Sequence, residues 1–246
     1  MRALEPHLEA PFDRVYASLI FEKSRPLADR LLGLYPRAIV GGTGWDLSTR
    51  LEDVGVETRG PVDLADWPTF RASIGFTQRG CRFKCGFCVV PRKEGKVAGE
   101  VTIAELWRGE PWPRDLVLLD NDFFGQRSWP ARIAEIVDGG YRVNFNQGIN
   151  ARMLTDETAE AIASIRYYNV TFARRQIYTA WDNRGDERRL FAGLEALFRH
   201  GVRPKHITVY MLIGYWPHET AEDREHRRRR LREFGAFPYP MVYRST

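Results

Sequence analysis

The chain has 246 residues, a hydrophobic content of 43%, and 37 Lys and Arg against 32 Asp and Glu, which gives a net charge of +5. This hydrophobic content can build a core, and no apolar run approaches the roughly 20 residues that a membrane span needs. The first residues, MRALEPHLEAPFDR, contain no apolar signal core. We therefore expect a cytoplasmic protein without a membrane partner.

The amino-terminal part, residues 1–66, has its own pattern. VYASLIF (15–21) predicts a buried strand, PLADRLLGLY (26–35) predicts a helix with Pro in its first turn, and AIVGG (38–42) predicts a second strand. Strand, helix and strand in this order form the building block of a parallel sheet. LADWPTF (64–70) predicts a linker, so we expect a small segment over 1–66 and a larger domain over 67–246.

Strands and helices alternate regularly in the second part. Stretches that predict strands are RASIGFT (71–77), DLVLLD (115–120), YRVNFNQ (141–147), QIYTAW (176–181), HITVYMLI (206–213) and PYPMVYR (238–244). Five helix-like stretches lie between them, and Thr102, Thr155 and Thr220 are placed to cap three of these helices. Six strands alternating with five helices predict an α/β fold, specifically a partial (β/α)6 TIM-like barrel with its chemistry at the carboxyl ends of the strands.

The only three cysteines of the chain are Cys81, Cys85 and Cys88, in the stretch CRFKCGFC just after the first of these strands. Three thiolates from one short loop suit an iron-sulfur cluster or another soft metal. A structural zinc site takes four protein ligands, and none of the five histidines lies near the cysteines in sequence. A cluster held by three cysteines leaves one iron open for a small molecule.

The spacing C-x3-C-x2-C, with Phe87 before the last cysteine, resembles the signature of the radical S-adenosylmethionine (radical SAM) enzymes. The surrounding GFTQRGCRFKCGFCVVPRKEG is similar to the cluster loop of a subgroup that carries a cobalamin-binding domain ahead of its barrel. The resemblance implies a [4Fe-4S] cluster on Cys81, Cys85 and Cys88, with SAM on the fourth iron. It also implies reductive cleavage of SAM to a 5'-deoxyadenosyl radical, hydrogen abstraction from a substrate, and a reducing partner such as flavodoxin or ferredoxin.

The same resemblance makes residues 1–66 look like the latter half of a Rossmann-like cobalamin domain, with Gly41 and Gly42 at its glycine pair. The D-x-H-x-x-G motif that supplies the cobalt ligand is absent, because His7 is the only histidine ahead of the cysteines and stands in EPHLEA. This departure argues against cobalamin binding. We expect the segment to be a structural remnant.

Further polar residues follow the predicted strands. Where radical SAM proteins have a Gly-Gly-Glu-like motif for the SAM ammonium, this chain has Asp120, Asn121 and Asp122, which are either acceptors for that ammonium or a turn. After the third strand, amides are placed for ligand contact and Arg152 for the SAM carboxylate or for the surface of a helix. These amides are Asn144, Asn146 and Gln147.

The remaining predicted contacts concern the nucleoside part of SAM. Asp182, with Asn183 in reserve, ends the fourth strand and is our choice for the ribose hydroxyls. MLIGYWPHET (211–220) loosely resembles the family's G-x-I-x-G-x-x-E region, which implies that Ile213 packs on the adenine. The resemblance places Phe87 on the other side of the adenine.

Two alternative functions remain open at this stage. Two concentrations of arginine favour a tRNA- or other nucleic-acid-modifying enzyme. One is the basic run Arg227 to Arg230, extended by Arg224 and Arg232, and the other consists of Arg174, Arg175, Arg184, Arg188 and Arg189. The same run is also typical of a solvated helix face whose arginines pair with Glu222, Glu225 and Glu233. From another class, the cysteines alone would also suit a non-catalytic iron-sulfur or zinc-binding module.

Overall fold

The computed structural model describes residues 12–56 and 62–243, so His7 lies outside the described part. The chain divides into two compact units: Met1–Thr58 with Cys88–Lys93, and Arg59–Phe87 with Glu94–Ser245. Both units combine helices with parallel strands, and the protein is therefore an α/β protein. No helix in the described residues is long and apolar enough to cross a membrane.

The first unit contains the predicted strand, helix and strand, but its first strand is shorter than the predicted 15–21 and is largely exposed rather than buried. β1 (Tyr16–Ser18) pairs in parallel with β2 (Ile39–Gly41), and α1 (Arg25–Leu34) connects them. The proline of α1 lies in its first turn, where its missing N–H costs no helical hydrogen bond. Leu19, Ala28 and Val40 form a small buried cluster. A short helix, α2 (Val90–Lys93), directly follows the cysteines and also belongs to this unit.

The strands of the second unit form two parallel sheets in which neighbours in sequence are neighbours in space. The four-stranded sheet contains β3 (Ser73–Gly75), β4 (Asp115–Leu118), β5 (Arg142–Phe145) and β6 (Arg166–Tyr167). The three-stranded sheet contains β7 (Ile177–Ala180), β8 (Ile207–Ile213) and β9 (Phe237–Val242). All six strands expected here are present, and the two-residue β6 is an additional strand that the sequence pattern did not indicate.

Five helices connect these strands. They are α3 (Ile103–Leu106), α4 (Trp129–Asp138), α5 (Asp156–Ser164), α6 (Glu187–Arg199) and α7 (Ala221–Phe234). The predicted caps are confirmed, because the side chains of Thr102, Thr155 and Thr220 each accept a hydrogen bond from the backbone N–H three residues further on.

The central strands are buried on both faces, as expected for parallel sheets covered by helices. On β4, Leu116 and Leu118 pack in the main core with Ile136 of α4, whereas Val117 joins a separate cluster with Phe172. Successive side chains of a strand alternate between the two faces, so each strand sends one set of side chains toward the helices and one set to the opposite face. Polar segments follow the carboxyl ends of β3, β4, β5 and β7, where the candidate site lies.

Candidate functional site

The cysteine-bearing loop starts directly after β3 and is shaped by close backbone contacts. Gly80 has a φ of +81°, and a Cβ at this position would come within 2.2 Å of the Lys96 carbonyl oxygen, so only glycine fits. The backbone N–H of Cys81 donates to the Gly95 carbonyl over 3.2 Å. The N–H of Phe83 donates to the Cys81 Sγ over 3.5 Å. The segment after Lys93 therefore supports the start of the loop.

Asp120 fixes the start of the cysteine loop through hydrogen bonds. Its carboxylate is almost fully buried and accepts hydrogen bonds from the Thr77 N–H (3.1 Å), the Thr77 hydroxyl (2.5 Å) and the Gln78 N–H (3.0 Å). Burial raises the pKa of Asp120 to about 6, and the hydrogen bonds of Thr77 and Gln78 oppose this rise. The side chain predicted to accept from the SAM ammonium is thus already engaged by residues just ahead of Cys81.

The two residues that follow Asp120 fasten the same loop. The Asn121 amide donates to Glu94, which also accepts from the Gly80 N–H. Asp122 is buried and forms an ion pair with Arg82 at 2.9 Å. Together with Asp120, these residues bind the loop on both sides of Cys81. In this structure Asp120, Asn121 and Asp122 therefore position the cysteine loop, a role that the sequence pattern did not indicate.

The three cysteines are half-buried, and none of them is in a disulfide. Cys81 and Cys85 belong to the second unit, whereas Cys88 begins the segment that belongs to the first. Among residues 12–56 and 62–243, no three His, Cys, Asp or Glu side chains are gathered into a set that could hold a metal ion. The backbone between Cys81 and Val89 is in neither a helix nor a strand. Gathering the three sulfurs around a cluster would therefore break no regular secondary structure.

Arg152, Asp182 and Cys85 lie near one another at the carboxyl ends of the strands. Burial alone would lower the pKa of Arg152, but a hydrogen bond from Arg152 to Asp186 (2.6 Å) and the charges of Asp186, Asp182 and Cys85 raise it. Arg152 also donates to Asn150 over 3.1 Å. Arg152, in the segment after β5, is thus within electrostatic range of Cys85 in the loop after β3 and of Asp182 at the end of β7.

Among the described residues, Asp182 is the carboxylate of this group that forms no hydrogen bond or ion pair. Burial raises the pKa of Asp182, while the positive charges of Arg152 and Arg227 oppose the rise. Its backbone carbonyl accepts from the Trp216 indole over 2.8 Å, but its carboxylate forms no hydrogen bond or ion pair with the described residues. A half-buried carboxylate without a partner is costly unless it meets a ligand or water, so Asp182 is a candidate ligand-binding residue.

The amides after β5 are divided between the interior and the surface. Asn144 is fully buried and its amide donates to the Tyr168 carbonyl over 2.9 Å, but its Oδ1 has no hydrogen-bond partner. Asn146 and Gln147 are exposed beyond the carboxyl end of β5. Their side chains form no hydrogen bond with the described residues, and they remain available to a ligand.

The two residues predicted to contact the adenine lie in different environments. Phe87 packs edge-on against Tyr215, with ring centroids 5.3 Å apart, so the cysteine loop contacts the loop that follows β8. Gly86 permits this contact, because a Cβ there would lie 2.6 Å from the Tyr215 hydroxyl. Ile213 instead lines a cavity beside α7, together with Met211 and Pro240.

A buried ion pair that the sequence did not reveal supports this end of the sheet. Arg227 of α7 is 1% exposed, pairs with Glu219, and donates to the carbonyls of Trp181 (2.6 Å) and Leu212 (3.0 Å). Glu219 also accepts from the Gly214 N–H. Arg227 thus joins α7 to the ends of β7 and β8, and it is inaccessible to a phosphate backbone.

The rest of the basic run is largely paired as a solvated helix face. Arg228 pairs with Glu225, and Arg229 and Arg230 pair with Glu233. These are the i,i+3 and i,i+4 contacts that the sequence pattern offered as the alternative to nucleic-acid binding.

No known protein family matches the chain, and no curated protein is significantly similar to it. The radical SAM interpretation therefore depends on the residues of this chain alone.

Proposed function

We propose that this protein is a radical SAM enzyme built on a partial (β/α)6 TIM-like barrel. The observation that carries the proposal is the C-x3-C-x2-C segment, placed on an irregular loop at the carboxyl end of the first strand of a parallel α/β unit. Chemistry in α/β barrels is located at this end of the strands. The grouping of Cys85 with Arg152 and Asp182 supports the same location.

The donor set fits an iron-sulfur cluster. The three cysteines lie within eight residues, none is consumed by a disulfide, and the Phe83 N–H already donates to a cysteine sulfur, as backbone N–H groups do around iron-sulfur clusters. In this proposal Cys81, Cys85 and Cys88 would hold a [4Fe-4S] cluster, which would supply one electron for the cleavage of SAM to methionine and the 5'-deoxyadenosyl radical that takes a hydrogen atom from the substrate. A reductant such as flavodoxin or ferredoxin would supply that electron.

The surrounding residues then have defined tasks. Asp182 accepts hydrogen bonds from the ribose hydroxyls of SAM, because its carboxylate is half-buried and forms no hydrogen bond or ion pair with the described residues. Arg152 keeps its pair with Asp186 and offers its remaining N–H groups to the SAM carboxylate. Asn146 and Gln147 are the amides available for the SAM amino group. Asp120, Asn121 and Asp122 position the loop rather than the cofactor.

The test is anaerobic reconstitution with iron and sulfide, followed by dithionite reduction with SAM and chromatography for 5'-deoxyadenosine. We expect the parent protein to bind about four irons and to form 5'-deoxyadenosine, and a Cys85→Ala variant to form none. A Lys84→Ala variant, which changes an exposed neighbour in the same loop, should behave as the parent.

The opposite outcome is equally informative. If a cluster or zinc binds but SAM stays intact and leaves the EPR signal of the reduced cluster unchanged, the enzyme proposal fails. The non-catalytic iron-sulfur or zinc-binding module then becomes the better interpretation. A tRNA-modifying enzyme receives less support, because Arg227 is buried and Arg228 to Arg230 are paired with carboxylates.

A further inference from the structure

A second cavity, of about 570 Å³, lies on one face of the β7–β8–β9 sheet. It is lined by residues that include Arg174, Gln176, Tyr178, Lys205, Tyr210 and Tyr239. Gln176 directly precedes β7 and Lys205 precedes β8, so the cavity begins at the amino ends of these strands. The lining also includes Met241, which pairs with Leu212 of β8, so the cavity runs along the sheet from its amino end toward the carboxyl end that Asp182 follows.

The register of β8 with β9 and the alternation of side chains along each strand place these residues on one face of the sheet. Tyr210 of β8 lies directly opposite Tyr239 of β9, and Thr208 lies opposite Phe237. Residues two apart on a strand share a face, which places Thr208 and Tyr210 on the same side of β8. Val209, which lies between Thr208 and Tyr210, instead packs in the main core. The cavity is thus a consequence of the strand pattern.

The wall of the cavity is aromatic. Tyr178 and Tyr210 are stacked, with ring centroids 5.7 Å apart and planes 5° apart, and Tyr239 meets Tyr210 edge-on at 5.6 Å. Phe237 is 60% exposed and Tyr239 is 47% exposed, although aromatic side chains are usually covered. A row of partly exposed rings on a sheet is a surface on which a planar ring can stack.

Basic and amide groups lie at one end of the cavity, where they can bind polar groups of a ligand. Arg174 and Lys205 are exposed, and neither forms an ion pair with another described residue. The Gln176 amide donates to Thr208 (2.6 Å) and to the His206 carbonyl (3.2 Å), while its Oε1 forms no hydrogen bond within the described residues. The cavity therefore offers two cations for an anion and one amide acceptor for an N–H group.

We propose that this cavity binds a nucleoside phosphate, with the base on the tyrosines and the phosphate between Arg174 and Lys205. The tyrosines offer a stacking surface for a planar base. Arg174 and Lys205, which form no ion pair with the described residues, suit a phosphate, and the Gln176 Oε1 can accept a hydrogen bond from the base. The volume lies within the range of about 300 to 1,000 Å³ of small-molecule sites. The proposal does not depend on the radical SAM assignment.

The test is equilibrium dialysis of the full chain with AMP in the presence of saturating SAM, which also contains adenosine and therefore blocks the proposed SAM site. We expect AMP to bind more tightly than either adenosine or inorganic phosphate. The double variant Arg174→Gln, Lys205→Gln and the single variant Tyr239→Ala should each weaken AMP binding by about tenfold or more. All three side chains are exposed, and circular dichroism verifies that the variants fold.

An Arg189→Gln variant is the matched control, because Arg189 is exposed on α6 and does not line the cavity. It should bind AMP as the parent does. A short single-stranded RNA serves as a competitor: stronger competition by RNA than by AMP identifies a nucleotide within a strand as the occupant, and weaker competition identifies a free nucleotide. Absence of AMP and RNA binding at about 1 mM, or binding that the cavity variants leave unchanged, overturns the proposal.

Discussion

The carboxylate of Asp120 joins the sheet to the cysteine loop, and its protonation should be measurable in the stability of the protein. Its pKa is raised to about 6 by burial, against an ordinary value of 3.8. Between these two values the folded state binds more protons than the unfolded state, so stability falls as the pH rises from about 4 to about 6 and then levels off. A shift of about two pKa units corresponds to a change of up to about 3 kcal/mol.

Urea unfolding of the parent and of Asp120→Asn across this pH range measures the effect. The stability of the parent minus that of the variant should decrease by up to about 3 kcal/mol between pH 4 and pH 7, because the variant lacks the titrating group. Other groups titrate in both proteins and cancel in the difference. A difference that stays constant with pH would show that Asp120 titrates alike in the folded and unfolded chains.

Asp182 allows a second prediction at the scale of one residue, and this one depends on the proposed function. In Asp182→Asn, the hydrogen bonds from the SAM ribose to a charged carboxylate are lost, and SAM affinity should fall by roughly tenfold to a hundredfold. Fold stability should stay the same or rise, because a half-buried carboxylate without a partner has been removed. Isothermal titration with SAM on the reconstituted protein provides the affinity.

The matched control for Asp182 is Asp156→Asn. Asp156 begins α5, is exposed, and forms its ion pair with Arg199 at the surface. This variant should bind SAM with the parent's affinity. If Asp182→Asn also binds SAM as tightly as the parent, Asp182 does not contact the ribose.

At the scale of elements, the position of α7 depends on the Arg227 and Glu219 pair. Glu219→Gln leaves the Arg227 guanidinium buried without its counter-charge, which should destabilise the protein by about 3 kcal/mol or more. Glu233→Gln, which removes the exposed partner of Arg229 and Arg230, should cost about 1 kcal/mol or less. Urea unfolding at neutral pH compares the two variants, and equal small losses would show that the buried pair does not hold α7.

The elements themselves were largely predictable, because their signals are local. The apolar stretches of β4, β5, β7 and β8 and the three threonine caps lie within short segments of sequence, and the structure confirms them. β6 was missed because two residues, Arg166 and Tyr167, carry too little pattern to be recognised. It becomes a strand only through pairing with β5.

The candidate site was predictable only in part, because its roles depend on partners distant in sequence. Asp120 follows a strand, and this position alone does not reveal that Thr77, 43 residues earlier, donates to it. Likewise, the run of arginines in α7 does not show that one member faces the interior. The proximity of Cys85, Arg152 and Asp182 was expected from strand order, because segments at the carboxyl ends of parallel strands meet at one edge of a sheet.

For the whole molecule, the question is where its net charge of +5 is accessible. The densest basic run, Arg227 to Arg230, contributes little free charge, because one arginine is buried and the other three are paired with glutamates. Arg174 and Lys205, by contrast, are exposed and form no ion pairs within the described residues. We therefore expect a polyanion to be bound more by Arg174 and Lys205 than by Arg227 to Arg230.

Two variants of the full chain test this distribution against a single-stranded RNA. The charges of Arg228, Arg229 and Arg230 are already compensated by glutamates. Replacing all three by Gln should therefore change RNA affinity by less than about threefold at low salt, where phosphate contacts are strongest. Replacing Arg174 and Lys205 by Gln should weaken binding by about tenfold and reduce its salt dependence. Filter binding at two salt concentrations measures both. The reverse order of effects would place the nucleic-acid contact on α7 and would favour the tRNA-modifying interpretation.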